Sequence, residues 1–297
     1  MSTWLRVFSA LGVTLLLGVG LTWAAQQPGT SATPAFAPCA TCHEDVAAAF
    51  ATNPHTRVSS TSATKPVTNV CEGCHGDGTK HADEGDKALI KVPKGGAGAK
   101  VCLGCHQDKP GFEYTATGFH ASASVSCFEC HSVHNAATIP LLRTATGSLC
   151  VTCHLEQKGT FSKPYAHRLG RGAIECTSCH NPHGGAGADK NLKKTNAGEL
   201  PCLSCHPETQ GPFVFTHVTG IAGNCMSCHE PHGSNNNKML TRARVDQLCL
   251  ECHTTLPAGT LGSQPPSFHD LRSARYTNCT VCHVAIHGSN SSPMLLR

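Results

Sequence analysis

The hydrophobic pattern of this chain is concentrated at its start. Val7 to Leu21 is mostly apolar, preceded by Arg6 and followed by the small residues Ala24 and Ala25. A basic start, a short apolar stretch and small residues near a cut form the pattern of a secretory signal peptide, here residues 1–25. The run is short for a membrane span, and no later stretch is apolar enough to cross a bilayer as a helix. Residues 26–38, rich in Pro, Ala and Thr, read as a leader. From 39 to 297 the pattern predicts short helical turns joined by coil, because 29 Gly and 18 Pro interrupt regular structure. The Pro-His-Gly segments and "GGAGAD" at 184–189 read as turns. Lys80 to Lys100, rich in charge and glycine, is expected to be a solvated surface loop. No boundary separates independent domains within 39–297. A chain of this length could build a large apolar core, but aromatic residues are only 5%.

What the chain has instead is a repeated motif, Cys-x-x-Cys-His. Its members are Cys39/Cys42/His43, Cys71/Cys74/His75, Cys102/Cys105/His106, Cys127/Cys130/His131 and Cys150/Cys153/His154. They continue with Cys176/Cys179/His180, Cys202/Cys205/His206, Cys225/Cys228/His229, Cys249/Cys252/His253 and Cys279/Cys282/His283. One copy could be half a zinc site or a redox pair. Ten copies use all 20 cysteines, and either alternative leaves ten adjacent histidines unexplained. The motif is the attachment signal for haem c: two thiols add to the vinyl groups and the histidine binds the iron. Ten covalent haems (iron) are therefore expected, and they must form much of the core.

The remaining histidines are His55, His81, His120, His134, His167, His183, His217, His232, His269 and His287. Ten haems each need one further axial ligand, and ten histidines remain. His is a standard haem ligand, so bis-histidine ligation is expected throughout. Met239 and Met294 are possible ligands but are not needed.

The motifs fall into pairs, giving five units that start at 39, 102, 150, 202 and 249. Each unit has one histidine between its two motifs and one trailing the second. A period of roughly 50 residues is typical of repeat arrays. The tails "CHEPHGSNNNKMLTR" and "CHVAIHGSNSSPMLLR" repeat visibly. His183 cannot serve the haem of His180, since three residues reach only about 10 Å and the free iron face lies on the other side. Following the unit, the between-motif histidine is expected to serve the second haem of its pair and the trailing histidine the first. His183 would then bind the iron at Cys150 and Cys153. The expected fold is a multihaem cytochrome c, haem-packed and mostly coil with short α-helices, in an elongated array of five two-haem repeats.

Charge adds little. The formal +4 becomes about −6 once ten haems each contribute a net charge of about −1, so the pI argues for no nucleic acid. Catalysis by a multihaem reductase needs an open iron, often marked by Lys in place of the motif histidine. Here every motif ends in His, which favours electron transfer over an enzyme. A periplasmic shuttle is the other alternative.

The ten motifs, "CTSCHNPHG", "CMSCHEPHG" and "LCLECH", together with the signal peptide, resemble the periplasmic decahaem cytochromes of the MtrA/DmsE family over about residues 36–297. The resemblance implies electron transport across the periplasm and outer membrane, often inside an outer-membrane β-barrel partner, to an outer-surface cytochrome or terminal reductase. His81, six residues after His75, and His287, four after His283, depart from the "CHxPH" pattern.

Overall fold

The computed structural model describes residues 37–57, 69–112, 115, 117–135, 140–169, 174–184, 191–194, 199–217, 225–253 and 274–296. The signal peptide, most of the leader and His269 lie outside them. The described chain is mostly coil with short helices, as the glycine and proline content requires. Its longest helix, Gly95–His106, has 12 residues.

Each motif is one helical turn. The backbone N–H of the motif histidine donates to the carbonyl of the first cysteine, at 2.9 Å for His43, His75, His131, His180, His206 and His229 and 3.0 Å for His154, His253 and His283. A turn closed this way puts positions i, i+3 and i+4 on one face. The two thiols and the imidazole therefore share a side.

Lys80 to Lys100 is not the expected loop. Thr79–Glu84 is helical, started by Asp77, whose carboxylate accepts from the Thr79 N–H at 2.9 Å. Gly95–His106 follows and carries the third motif. Its glycines read as breakers in the sequence, yet Gly98 is what lets the helix approach its neighbours. A Cβ there would lie 2.7 Å from the Pro93 carbonyl carbon and 3.0 Å from Phe128.

The polypeptide has almost no core of its own. Among the described residues the buried hydrophobics are Phe50, Val70 and Leu295, and no large side chain is fully buried. The sheet consists of Phe215–Thr216 antiparallel to Gly288–Ser289. Isolated bridges join His131 to Leu142, His180 to Leu192, His229 to Leu240 and Tyr165 to Ser234.

Candidate haem sites

The histidines come together in pairs. Ring centroids of His43 and His81 are 6.0 Å apart, of His75 and His134 5.9 Å, of His55 and His106 6.0 Å. His131 faces His183 at 6.1 Å, His120 faces His154 at 6.1 Å, and His180 faces His232 at 5.9 Å. His167 faces His206 at 6.4 Å, His229 faces His287 at 6.4 Å, and His217 faces His253 at 6.2 Å. Every pair joins one motif histidine to one non-motif histidine. Of the motif histidines this leaves His283, and of the others His269, which lies outside the described residues.

The pairing corrects the expectation that ligands stay within a unit. Trailing His134, His183, His232 and His287 each face the second motif histidine of the preceding unit. Between-motif His55, His120, His167 and His217 each face the first motif histidine of the following unit. Only His81, among those described, faces a histidine of its own unit. His183 thus meets His131, not His154.

The cause is visible at each unit junction. Nδ1–H of His120 donates to the Pro182 carbonyl at 2.9 Å, and that of His167 to Pro231 at 2.7 Å. His217 bonds the Ile286 backbone in the same way. In these three junctions the acceptor is the residue before the next unit's trailing histidine. A phenylalanine packs there too: Phe50 meets His134, Phe112 stacks on His183 at 4.2 Å, and Phe161 meets His232 at 5.1 Å. Phe213 lies against Gly288, next to His287. These contacts dock each trailing loop on the unit before it and outweigh proximity in sequence.

A second set of bonds orients the motif histidines. Nδ1–H of His75 donates to Lys91 O at 2.7 Å, His131 to Pro140 O at 3.1 Å, His229 to Lys238 O at 2.9 Å and His283 to Met294 O at 2.6 Å. A carbonyl only accepts, so these rings carry their proton on Nδ1 and present the Nε2 lone pair. The last three acceptors are each followed by a left-handed residue: Leu141 (φ 62°), Met239 (φ 54°) and Leu295 (φ 56°). Asn191 (φ 54°) occupies the same place after the sixth motif. The repeated tail therefore turns back on its own motif through a conformation that costs about 1–3 kcal/mol.

The thiols give the order of the sites. Within units, Cys102 contacts Cys127, Cys150 contacts Cys176 and Cys202 contacts Cys225 through shared hydrogen bonds. Each bond raises the donor thiol and lowers its partner, Cys127 to about 6, Cys176 to about 7 and Cys225 to about 6. Burial and then Cys39 raise Cys71 to about 11, and burial and then Cys279 raise Cys249 to about 12. Between units the second cysteines meet. Burial raises Cys74, Cys130, Cys179 and Cys228, with added repulsion from Cys105, Cys153, Cys205 and Cys252 respectively. The ten attachment motifs therefore neighbour one another in chain order.

Cys42 and Cys282 belong to the first and the last of the ten motifs. Their turns close as in the other motifs, Cys42 N–H donating to Cys39 O at 3.2 Å and Cys282 N–H to Cys279 O at 3.3 Å. Both thiols are exposed. The first motif meets its neighbour through Cys39 and Cys71, and the tenth through Cys279 and Cys249.

Burial also holds His55, His134, His183, His217 and His287 below the ordinary histidine value, helped by the facing ring. Neutral imidazole is the metal-binding form.

These residues fit a haem and not a bare metal ion. Two imidazoles on one metal, with metal–nitrogen bonds of about 2.0 Å and nitrogens roughly 1.1 Å from each ring centre, have centroids about 6.2 Å apart. Among the described residues no group of three or more His, Cys, Asp or Glu side chains could hold a metal alone. The equatorial donors must come with the group, as they do in a porphyrin. Apolar side chains stand beside the ligands: Phe119, 61% exposed, precedes His120, and Leu155, 67% exposed, follows the facing His154.

Paired thioether-forming cysteines, facing imidazoles and a sparse core define a multihaem c-type cytochrome. The chain matches the family described as the doubled CXXCH motif over residues 120–159, 167–211 and 217–258. It is 32% identical over 233 residues to multiheme cytochrome MtrA of Shewanella baltica (strain OS185), covering 74% of this chain and 68% of that protein. The chain belongs to the MtrA family of multihaem cytochromes: it binds haem c covalently and transfers electrons rather than acting as an enzyme.

The sequence reading missed Phe50, Phe112, Phe161, Phe213 and Asn53. The signal was a phenylalanine ahead of His55, His120, His167 and His217. Its spacing, from four residues (Phe213 to His217) to eight (Phe112 to His120), hid it.

Proposed function

We propose that residues 39–297 hold ten bis-histidine haems in one row, and that the row carries electrons across the periplasm and through an outer-membrane β-barrel. The observation that carries this reading is the unbroken succession of motif contacts, thiol to thiol, from Cys39/Cys71 to Cys249/Cys279. The twenty cysteines named above are the attachment points, with Cys42 and Cys282 at the two ends. The twenty histidines are the axial ligands, His283 being completed by His269. Bound haem supplies the one-electron couple. The chain would supply two nitrogens per iron, oriented by Nδ1 bonds, and its neighbouring motifs would bring successive haems together for electron transfer.

Export follows from the signal peptide of residues 1–25, and haem attachment to exported thiols suits the periplasm. No helix of the described residues is long and apolar enough to cross a membrane. A haem row with polar backbone and propionates cannot meet hydrocarbon, so passage across the outer membrane needs a barrel with a polar lumen. Redox partners would be a periplasmic or inner-membrane donor and an outer-surface cytochrome or terminal reductase. Fractionation of native cells tests this: part of the cytochrome should co-purify with outer membranes and a barrel protein. A wholly soluble protein, with extracellular reduction unaffected by its deletion, would leave a periplasmic shuttle.

A further inference from the structure

The third site, Cys102/Cys105/His106, holds its distal histidine differently from the sites that His120, His167 and His217 serve. At the equivalent position His120 and His167 donate directly to a backbone carbonyl of the next unit. His55 does not. Its Nδ1–H donates to the side-chain oxygen of Asn53 at 3.0 Å, and the same oxygen accepts the His55 backbone N–H at 2.9 Å. The Asn53 amide nitrogen then donates to Val133 O at 2.5 Å, the residue before His134. An amide is thus inserted between histidine and carbonyl. Asn53 is itself buried, 7% exposed. Its own carbonyl accepts Thr56 Oγ1 at 2.7 Å, which pins the turn Pro54–Arg57 that carries His55.

The ring planes differ accordingly. His55 stands at 71° to His106. The other described pairs lie between 11°, for His217 and His253, and 51°, for His120 and His154. We infer that Asn53 is a positioning residue that turns His55 crosswise and makes the third haem the electronically distinct member of the row; this rests on the bis-histidine reading above.

The consequence follows from orbital symmetry. Two parallel imidazoles push electron density into the same iron d(π) orbital and split it from its partner. Crossed imidazoles raise both orbitals alike. A ferric low-spin iron has one hole in this set and gains from the splitting, whereas the filled ferrous set does not. The crossed site therefore favours the ferrous state and has the higher potential. Near-degenerate orbitals also give a highly anisotropic low-spin resonance, distinct from the rhombic signals of parallel pairs.

The test is electron paramagnetic resonance and redox titration of the fully matured protein, with the haem count taken by mass on the same samples. The parent should show a highly anisotropic low-spin signal worth at least one haem. Asn53→Ala frees His55 to rotate, so about one haem of that signal should move toward the rhombic region. Asn53→Asp keeps both bonds to His55 and gives up only the donation to Val133, so it tests the idea even if the alanine variant does not mature. It should retain the anisotropic signal while one haem titrates at lower potential, because an anionic acceptor stabilises ferric iron. A parent without the signal, or variants with ten low-spin haems and unchanged spectra and potentials, would overturn the assignment. Fewer than ten haems in the parent would instead overturn the reading beneath it.

Discussion

His183 raises the sharpest question at the residue scale. It lies three residues behind His180 but its ring pairs with that of His131, and Phe112 stacks on it. Replacing His183 with alanine should leave the haem at Cys176/Cys179 intact and open the iron at Cys127/Cys130. One haem should then become high-spin and bind carbon monoxide. That signal should vanish when Cys127 and Cys130 are also replaced by alanine. Its loss in a Cys150/Cys153 double variant instead would restore ligation within the unit. That motif histidines would need partners was legible, because the motif is specific and the histidine count matched. Their partners were not, because they are set by contacts from Pro182, Pro231 and Phe112, which no local spacing encodes.

At the scale of elements, the repeat is a docking device. The strand Phe215–Thr216 pairs with Gly288–Ser289, and Tyr165 exchanges backbone hydrogen bonds with Ser234 at 3.1 and 2.7 Å. In both cases a segment just ahead of one unit's middle histidine meets the loop just behind the next unit's trailing histidine. Gly233 (φ 146°) and Gly288 (φ 152°) make the approach possible, since a Cβ would overlap Thr160 O in one and Phe213 in the other. Gly288→Ala should cost about 1–3 kcal/mol by overpacking and backbone strain. The damage should centre on His287 and the site at Cys225/Cys228, read as a lower urea midpoint and a partial high-spin signal. Unchanged stability and spectra would mean that this junction does not hold the ligand. The short helical turns and the Pro-His-Gly turns were readable in the sequence. The helix Gly95–His106 was not, because Gly98 serves close packing against Pro93 and Phe128 and not chain reversal.

Across the whole molecule, a described polypeptide with three buried hydrophobic residues cannot hold itself together. A domain of this length normally buries most of its apolar surface in its own core. Here haem attachment and folding must be one event. Chain produced without haem should give a disordered far-ultraviolet spectrum and no cooperative thermal transition; a cooperative transition would contradict this. In the proposed row, breaking one of the junctions built from carbonyls and phenylalanines should disturb the histidine pairs on both sides of it. The claim that ligands cross between neighbouring units along a row in chain order is tested most directly by an experimental structure of the haem-loaded protein that resolves the iron–nitrogen bonds. It should show the iron at Cys127/Cys130 bound by His131 and His183, the iron at Cys150/Cys153 bound by His154 and His120, and successive haems adjacent in chain order. His183 bound instead to the iron at Cys150/Cys153 would contradict it.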